Sequence, residues 1–123
     1  MSTKTCLIVD DSKIVRKVCR SIIEPMGYTI FEAEDGKQAL EIANKEPITV
    51  VMLDWNMPVM NGMEFLVALR ANTAITQPQV IFCTTENEMT KIIEAMQAGA
   101  NEYVMKPFDD DIIKGKFEQL GLL

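Results

Sequence analysis

Five short β-rich runs alternate with helical patterns from one end of the chain to the other, and this alternation leaves few folds open. The runs lie at about 5–9, 28–33, 49–53, 79–84 and 102–105. Helical spacing fills every interval between them. Runs one, three and four contain almost uninterrupted apolar stretches, namely Cys6-Leu7-Ile8-Val9, Val50-Val51-Met52-Leu53 and Val80-Ile81-Phe82-Cys83. Strands of a parallel sheet read this way because helices cover both of its faces. The second run alternates more, as an edge strand does. A (βα)5 order with right-handed crossovers gives an α/β fold, a doubly wound parallel five-stranded sheet in a three-layer sandwich.

The helical intervals carry their own start and stop signals. In the first, Ile14, Val15, Val18, Cys19, Ile22, Ile23 and Met26 form one stripe, with Ser12 as N-cap and Gly27 as stop. A second helix begins after Asp35-Gly36 and buries Ala39, Leu40, Ile42 and Ala43. The third follows Asn61-Gly62 and uses Phe65, Leu66 and Leu69. The fourth starts near Asn87, presents Met89, Ile92, Ile93 and Met96, and ends at Gly99. The last runs from about Asp109 with Ile112, Ile113, Phe117 and Leu120. Gly115 inside it costs about 1 kcal/mol relative to Ala, which weighs against its regularity.

Composition removes whole classes of function. A length of 123 residues is that of a single domain, expected to span 1–123 with no output domain attached. Apolar types make up 48% of the chain, enough for a core at this size without staples. There is no histidine, which excludes a Ser-His-Asp triad, a Cys-His pair, a His-ligated metal and a phosphohistidine carrier. Acidic residues outnumber basic ones 18 to 12, and no Lys/Arg run appears, so neither nucleic acid nor an anionic membrane is an expected partner. The longest apolar stretch, from Phe65 to Leu69, is too short for membrane insertion or a signal-peptide core, and the expected location is cytoplasmic. Cys6, Cys19 and Cys83 sit far apart in apolar runs and read as reduced core thiols. Without histidine or a CxxC pair, a zinc site lacks ligands at usable spacing. The nine methionines include Met57, Met60 and Met63, which read mainly as core filling, with partner contact as the alternative.

In doubly wound sheets, ligands sit outside the carboxyl ends of the strands. Asp10 and Asp11 follow the first run, Asp54 the third, Thr84 closes the fourth, and Lys106-Pro107 follows the fifth. Each alone has an ordinary explanation as a cap, a turn former or a solvated charge. Together they place three carboxylates, a hydroxyl and an ammonium on one rim. Three carboxylates in one place repel one another unless a cation offsets them, and all-oxygen ligation suits Mg²⁺. A divalent ion with a Lys and a hydroxyl opposite is equipment for phosphoryl transfer. No Gly-rich phosphate loop is present, so the simplest acceptor is one of the carboxylates, as an aspartyl phosphate.

Five ordered landmarks then carry a specific resemblance. Asp10-Asp11-Ser12, Leu53-Asp54-Trp55-Asn56-Met57-Pro58 with Asn61-Gly62, Phe82-Cys83-Thr84, Ala98-Gly99-Ala100 leading to Tyr103, and Lys106-Pro107-Phe108 resemble the response-regulator receiver family over the whole chain. Within that family the single-domain chemotaxis type is most similar. The resemblance implies a flavodoxin-like strand order of 2-1-3-4-5. It implies that Asp54 is the phosphoacceptor, supplied by a histidine kinase. Asp11, Asp54 and the backbone carbonyl of Asn56 would hold Mg²⁺, with Asp10 acting through water. Lys106 would pair with the phosphoryl group, and its bond to Pro107 would be cis. Thr84 and Tyr103 resemble a switch pair, the hydroxyl moving toward the phosphate and the ring following inward. Asn56 and Glu86 occupy positions that set phosphoryl lifetime, and Thr85 is larger than the Ala or Gly usual beside the switch Thr.

Phosphorylation adds roughly −1.5 to −2 charge and three strong acceptors, enough to bias a nearby two-state element. The implied output face is the fourth helix, fifth strand and fifth helix, with Ile92, Met96, Tyr103 and Lys116 as candidates, and core packing as the rival explanation for Ile92 and Met96. The implied protein is a monomeric switch and no enzyme beyond its own phosphorylation and dephosphorylation, with a flagellar motor switch protein and a phosphatase as further partners. A phosphate sink or a non-motility regulator is the alternative within the family. Of other classes, a DxD phosphatase needs an acid where Asn56 stands, and a flavin module needs a phosphate loop where Asp10 and Asp11 would repel it.

Overall fold

The structure, a computed structural model, describes residues 4–84 and 89–123. Along the chain it forms β1 (Thr5–Val9), α1 (Lys13–Ile23), β2 (Thr29–Ala33), α2 (Gly36–Lys45), β3 (Val50–Asp54), α3 (Gly62–Ala71), β4 (Gln79–Thr84), α4 (Met89–Gln97), β5 (Glu102–Met105) and α5 (Asp110–Gln119). A 3-10 turn, Glu24–Met26, extends α1 to Gly27, where the chain turns left-handed. Side-chain caps start the helices where short polar residues precede them. Ser12 accepts from the Val15 amide, Asp35 from Gln38 and Asp109 from Ile112. Asn61 and Glu64 exchange hydrogen bonds at 2.9 and 3.0 Å, a reciprocal capping box.

All strand pairs are parallel, in the order β2-β1-β3-β4-β5. The alternation of side chains along each strand splits the core into two layers. Cys6, Ile8, Met52, Ile81 and Cys83 face α1 and α5, where Ile23, Ile113 and Phe117 cover them. Leu7, Val9, Leu53, Val80 and Phe82 face the other helices, meeting Ala39, Phe65, Leu66 and Ala95. Each fully buried large side chain is worth about 1.5–3 kcal/mol. Cys6, Cys19 and Cys83 are free and buried in the first layer. Burial pushes the Cys19 thiol up to about 12, so it is inert at neutral pH. Met57, Met60 and Met63 are partly buried against the second layer. No helix among the described residues is long and apolar enough to cross a membrane.

Several boundaries and faces differ from expectation. β2 starts at Thr29, and β3 runs from Val50 through Asp54, so Asp54 is the last residue of the strand. The expected start of the fourth helix near Asn87 lies outside the described residues. Gly115 lies in an unbroken α5, with open space where a Cβ would project. On α1 the buried positions are Arg16, Cys19, Ile22 and Ile23, while Ile14 is 77% and Val18 45% exposed. The apolar stripe of α1 is wider than the surface the sheet and α5 can cover, so its flank faces water. On α4, Ile92 is buried and Ile93 exposed. Ile92 is therefore not a surface candidate, because helical phase turns it toward the sheet with Ala95.

Candidate functional site

The parallel sheet delivers its acids to one rim. Asp10 leaves β1 directly after Val9, and Asp54 closes β3 on the neighbouring strand. Ligand oxygens of Asp10, Asp11 and Asp54 lie within 4.8 Å of one another. Asp10 is held on every side. Its amide donates to the Ala33 carbonyl at 3.1 Å, its Oδ1 accepts from the Ser12 amide at 2.9 Å, and its carbonyl accepts from Arg16 Nη1 at 2.5 Å. Lys106 Nζ, just past β5, donates to Asp10 Oδ2 and Asp54 Oδ1 at 2.9 Å each. One ammonium thus bridges two carboxylates of the three.

The electrostatics match that geometry. Burial pushes the Asp54 carboxyl above its ordinary range, outweighing the lowering by Lys106, and Asp10 adds to the rise. Burial opposes the charge on Lys106, yet its hydrogen bonds to Asp54 and Asp10 prevail and raise its pKa. The rim is short of positive charge, and its donors are all oxygen. Those two facts fit a hard divalent cation such as Mg²⁺.

The loop after Asp54 is packed tightly against the rim. A Cβ on Gly62 would meet the Asp54 carbonyl oxygen at 2.2 Å and the Phe82 ring at 2.9 Å, so no larger residue fits without displacing the acid's backbone. Gly36, at the start of α2, donates its amide to the Met60 carbonyl at 2.9 Å and leaves no room for a side chain there. Between these two anchors Val59 has φ of 67°, a left-handed conformation costly for a β-branched residue. Trp55 packs on Phe82 with ring centroids 5.1 Å apart, and Lys91 of α4 places its ammonium 5.2 Å from the Trp55 ring.

The remaining candidates fall around this centre. Thr84 is buried at the end of β4, and its carbonyl accepts from the Lys106 amide at 2.6 Å. The Lys106–Pro107 bond is cis. Asn56 is exposed two residues beyond Asp54. Tyr103 is half-buried against the second core layer, with Lys116 Nζ 5.2 Å from its ring centroid and 3.3 Å from Glu102. Met96 is exposed on α4. Thr85 and Glu86 lie outside the described residues. Arg16, Lys91 and the close packing at Gly36 and Gly62 carry no direct sign in the sequence. Arg16 had one available signal: it stands three and seven residues before Cys19 and Ile23, in phase with the buried face of α1.

The comparisons with known proteins agree with one another. Residues 6–118 match the response regulator receiver domain. The chain is 38% identical over 115 residues to the chemotaxis protein CheY of Pseudomonas aeruginosa, covering 93% of each. It is 36% identical over 116 residues to a CheY homolog of Campylobacter jejuni, covering 93% of this chain and 89% of that one. Among solved structures, Vibrio cholerae chemotaxis protein CheY4 superposes with a TM-score of 0.88 at 31% identity, covering 96% of this chain and 98% of that one. The chain belongs to the response regulator receiver family, and it is a phosphorylation-activated response regulator.

Proposed function

We propose that Asp54 accepts a phosphoryl group from the phosphohistidine of a partner kinase, and that the modified domain signals by binding other proteins in chemotaxis. The observation that carries this reading is the Lys106 ammonium held 2.9 Å from both Asp10 and Asp54 inside a three-carboxylate cluster. An Asp54 carboxylate oxygen attacks phosphorus in line, the P–N bond to the imidazole breaks, and its electron pair returns to the ring nitrogen. Lys106 then exchanges a carboxylate contact for a phosphoryl oxygen, and the Thr84 hydroxyl donates to another. Asp11, Asp54 and the Asn56 carbonyl would hold Mg²⁺, with Asp10 one water removed. When bound, that ion neutralises charge on the non-bridging phosphoryl oxygens. With no histidine in the chain, the donor must come from elsewhere.

The surface beside the rim supports a protein donor. Exposed Ile14 and Val18, with Val15, Pro107 and Phe108, line an apolar hollow of about 250 Å³ that reaches Lys106. A kinase helix carrying the donor histidine would cover this patch while aiming the imidazole at Asp54. Output through Met96, Tyr103 and Lys116 of the α4, β5 and α5 face is part of the same reading, toward a flagellar motor switch protein, with a phosphatase as the further partner. Trp55 reports on both ligands. Its fluorescence is expected to change on adding Mg²⁺ and again on adding acetyl phosphate, and an unchanged signal in both titrations contradicts the assignment. Capture on the beryllofluoride-loaded protein separates the roles: a motor switch protein retained only in the loaded state supports motor output, whereas retention of the kinase alone supports a phosphate sink.

A further inference from the structure

Among the described residues, the buried charged side chains are Asp10 and Arg16. Arg16 lies one turn into α1, and burying its guanidinium is costly unless its donors are used. They are: Nη1 donates to the Asp10 backbone carbonyl at 2.5 Å and Nε to Glu32 Oε1 at 2.9 Å. Glu32 is itself fixed, standing on β2 in register with Ile8 of β1, with Arg20 Nη1 donating to its other oxygen at 2.7 Å. The two guanidinium groups hold its carboxyl below the usual range although burial works against them. The β1–α1 turn already has its own closures, because Ser12 caps α1 and Asp10 Oδ1 takes the Ser12 amide. The Asp10 carbonyl is buried and takes the Arg16 guanidinium as its partner. Through Nε on Glu32 the same side chain ties the turn to β2, a tether that the turn's own closures do not supply.

We propose that Arg16 is a positioning residue for the cation site: it locks the Asp10–Asp11 peptide plane to β2 through Glu32, so that both carboxylates converge with Asp54. The inference rests on the reading of the rim as a Mg²⁺ site. Its chemistry requires the planar fork of Arg, which spans two acceptors at once; a Lys ammonium at the same place keeps the charge but loses the geometry. Side chains that orient ligands in this way change metal affinity by factors of ten or more when altered.

The test is a Mg²⁺ titration followed by Trp55 fluorescence on wild type, Arg16→Lys and Glu32→Gln, each first shown folded by circular dichroism. Arg16→Lys is expected to bind Mg²⁺ about tenfold more weakly, and Glu32→Gln, which leaves the core untouched, about threefold more weakly. The rate of phosphorylation by acetyl phosphate falls with them at limiting Mg²⁺ and recovers to within about twofold at saturating Mg²⁺, as a pure loss of metal affinity requires. Mg²⁺ affinities equal to wild type in both folded variants overturn the proposal. So does a rate that excess Mg²⁺ fails to restore, because that is the mark of general structural damage. A wild-type protein indifferent to Mg²⁺ overturns the reading of the rim, and the role of Arg16 with it.

Discussion

The body of the sheet and its carboxyl rim are built on opposite terms. In the body, Cys6, Leu7, Ile23, Val50, Val51, Leu53, Phe65 and Phe117 are wholly buried, and their side chains meet apolar neighbours. A few residues away, the rim gathers three carboxylates around one ammonium and carries Asp54 with its pKa raised by burial. The same loop keeps Val59 in a left-handed backbone conformation. The body supplies stability, and the rim holds charge and backbone strain that cost some of it. The difference lets each region be altered without the other.

The largest expected effect is in the body. Phe117 lies fully buried with Tyr28 packed edge-on, ring centroids 5.4 Å apart. Phe117→Ala is expected to cost about 3–5 kcal/mol in urea denaturation, while Mg²⁺ affinity of the folded fraction stays within about twofold of wild type. A large loss of Mg²⁺ binding there would show that the two regions are coupled.

In the rim the sign reverses. A carboxyl whose folded pKa lies above its unfolded value binds its proton more tightly in the folded state, so stability falls as pH rises through that raised value. At neutral pH Asp54 therefore costs stability, and Lys106 retains Asp10 as partner when Asp54 is replaced. Asp54→Asn is expected to raise the melting temperature by a few degrees at pH 7 without Mg²⁺. The gain shrinks as pH falls below the carboxylate range, and saturating Mg²⁺ reverses the order by stabilising only wild type. An Asn variant less stable than wild type at pH 7 would contradict this account of the rim.

The smallest effects compare two backbone positions. Gly115 has a free outward direction in α5, and Gly115→Ala is expected to add about 0.5–1 kcal/mol. Val59→Asn, better suited to positive φ, is expected to gain a similar amount of about 1 kcal/mol. Thermal denaturation checks both. Only the Val59 change, being in the loop after Asp54, is expected to alter the phosphorylation rate as well.

What could be read from the sequence follows from what periodicity and strand ends encode. Unbroken apolar runs named the central strands because both faces are covered, and the residue leaving each run had to reach the rim whatever the loop did next. Asp10, Asp54, Thr84 and Lys106 were legible for that reason. Periodicity gives the width of an apolar stripe but not how much of it a neighbour covers, so it puts Ile14 and Val18 in one stripe with the buried residues of α1 and leaves Ile92 open between surface and core. Arg16 was hidden because its partner Glu32 stands sixteen positions away on another strand. The glycines at 36 and 62 looked like helix starts, since the backbone oxygens of Met60 and Asp54 that exclude a Cβ there meet them only in the folded chain.

The most direct measurement is the site of covalent phosphate after incubation with acetyl phosphate and Mg²⁺, read by mass spectrometry before and after mild base. The account predicts one base-labile phosphoryl group on wild type, mapped to Asp54, and none on Asp54→Ala. A phosphate that persists on Asp54→Ala, or its absence from wild type, would contradict it.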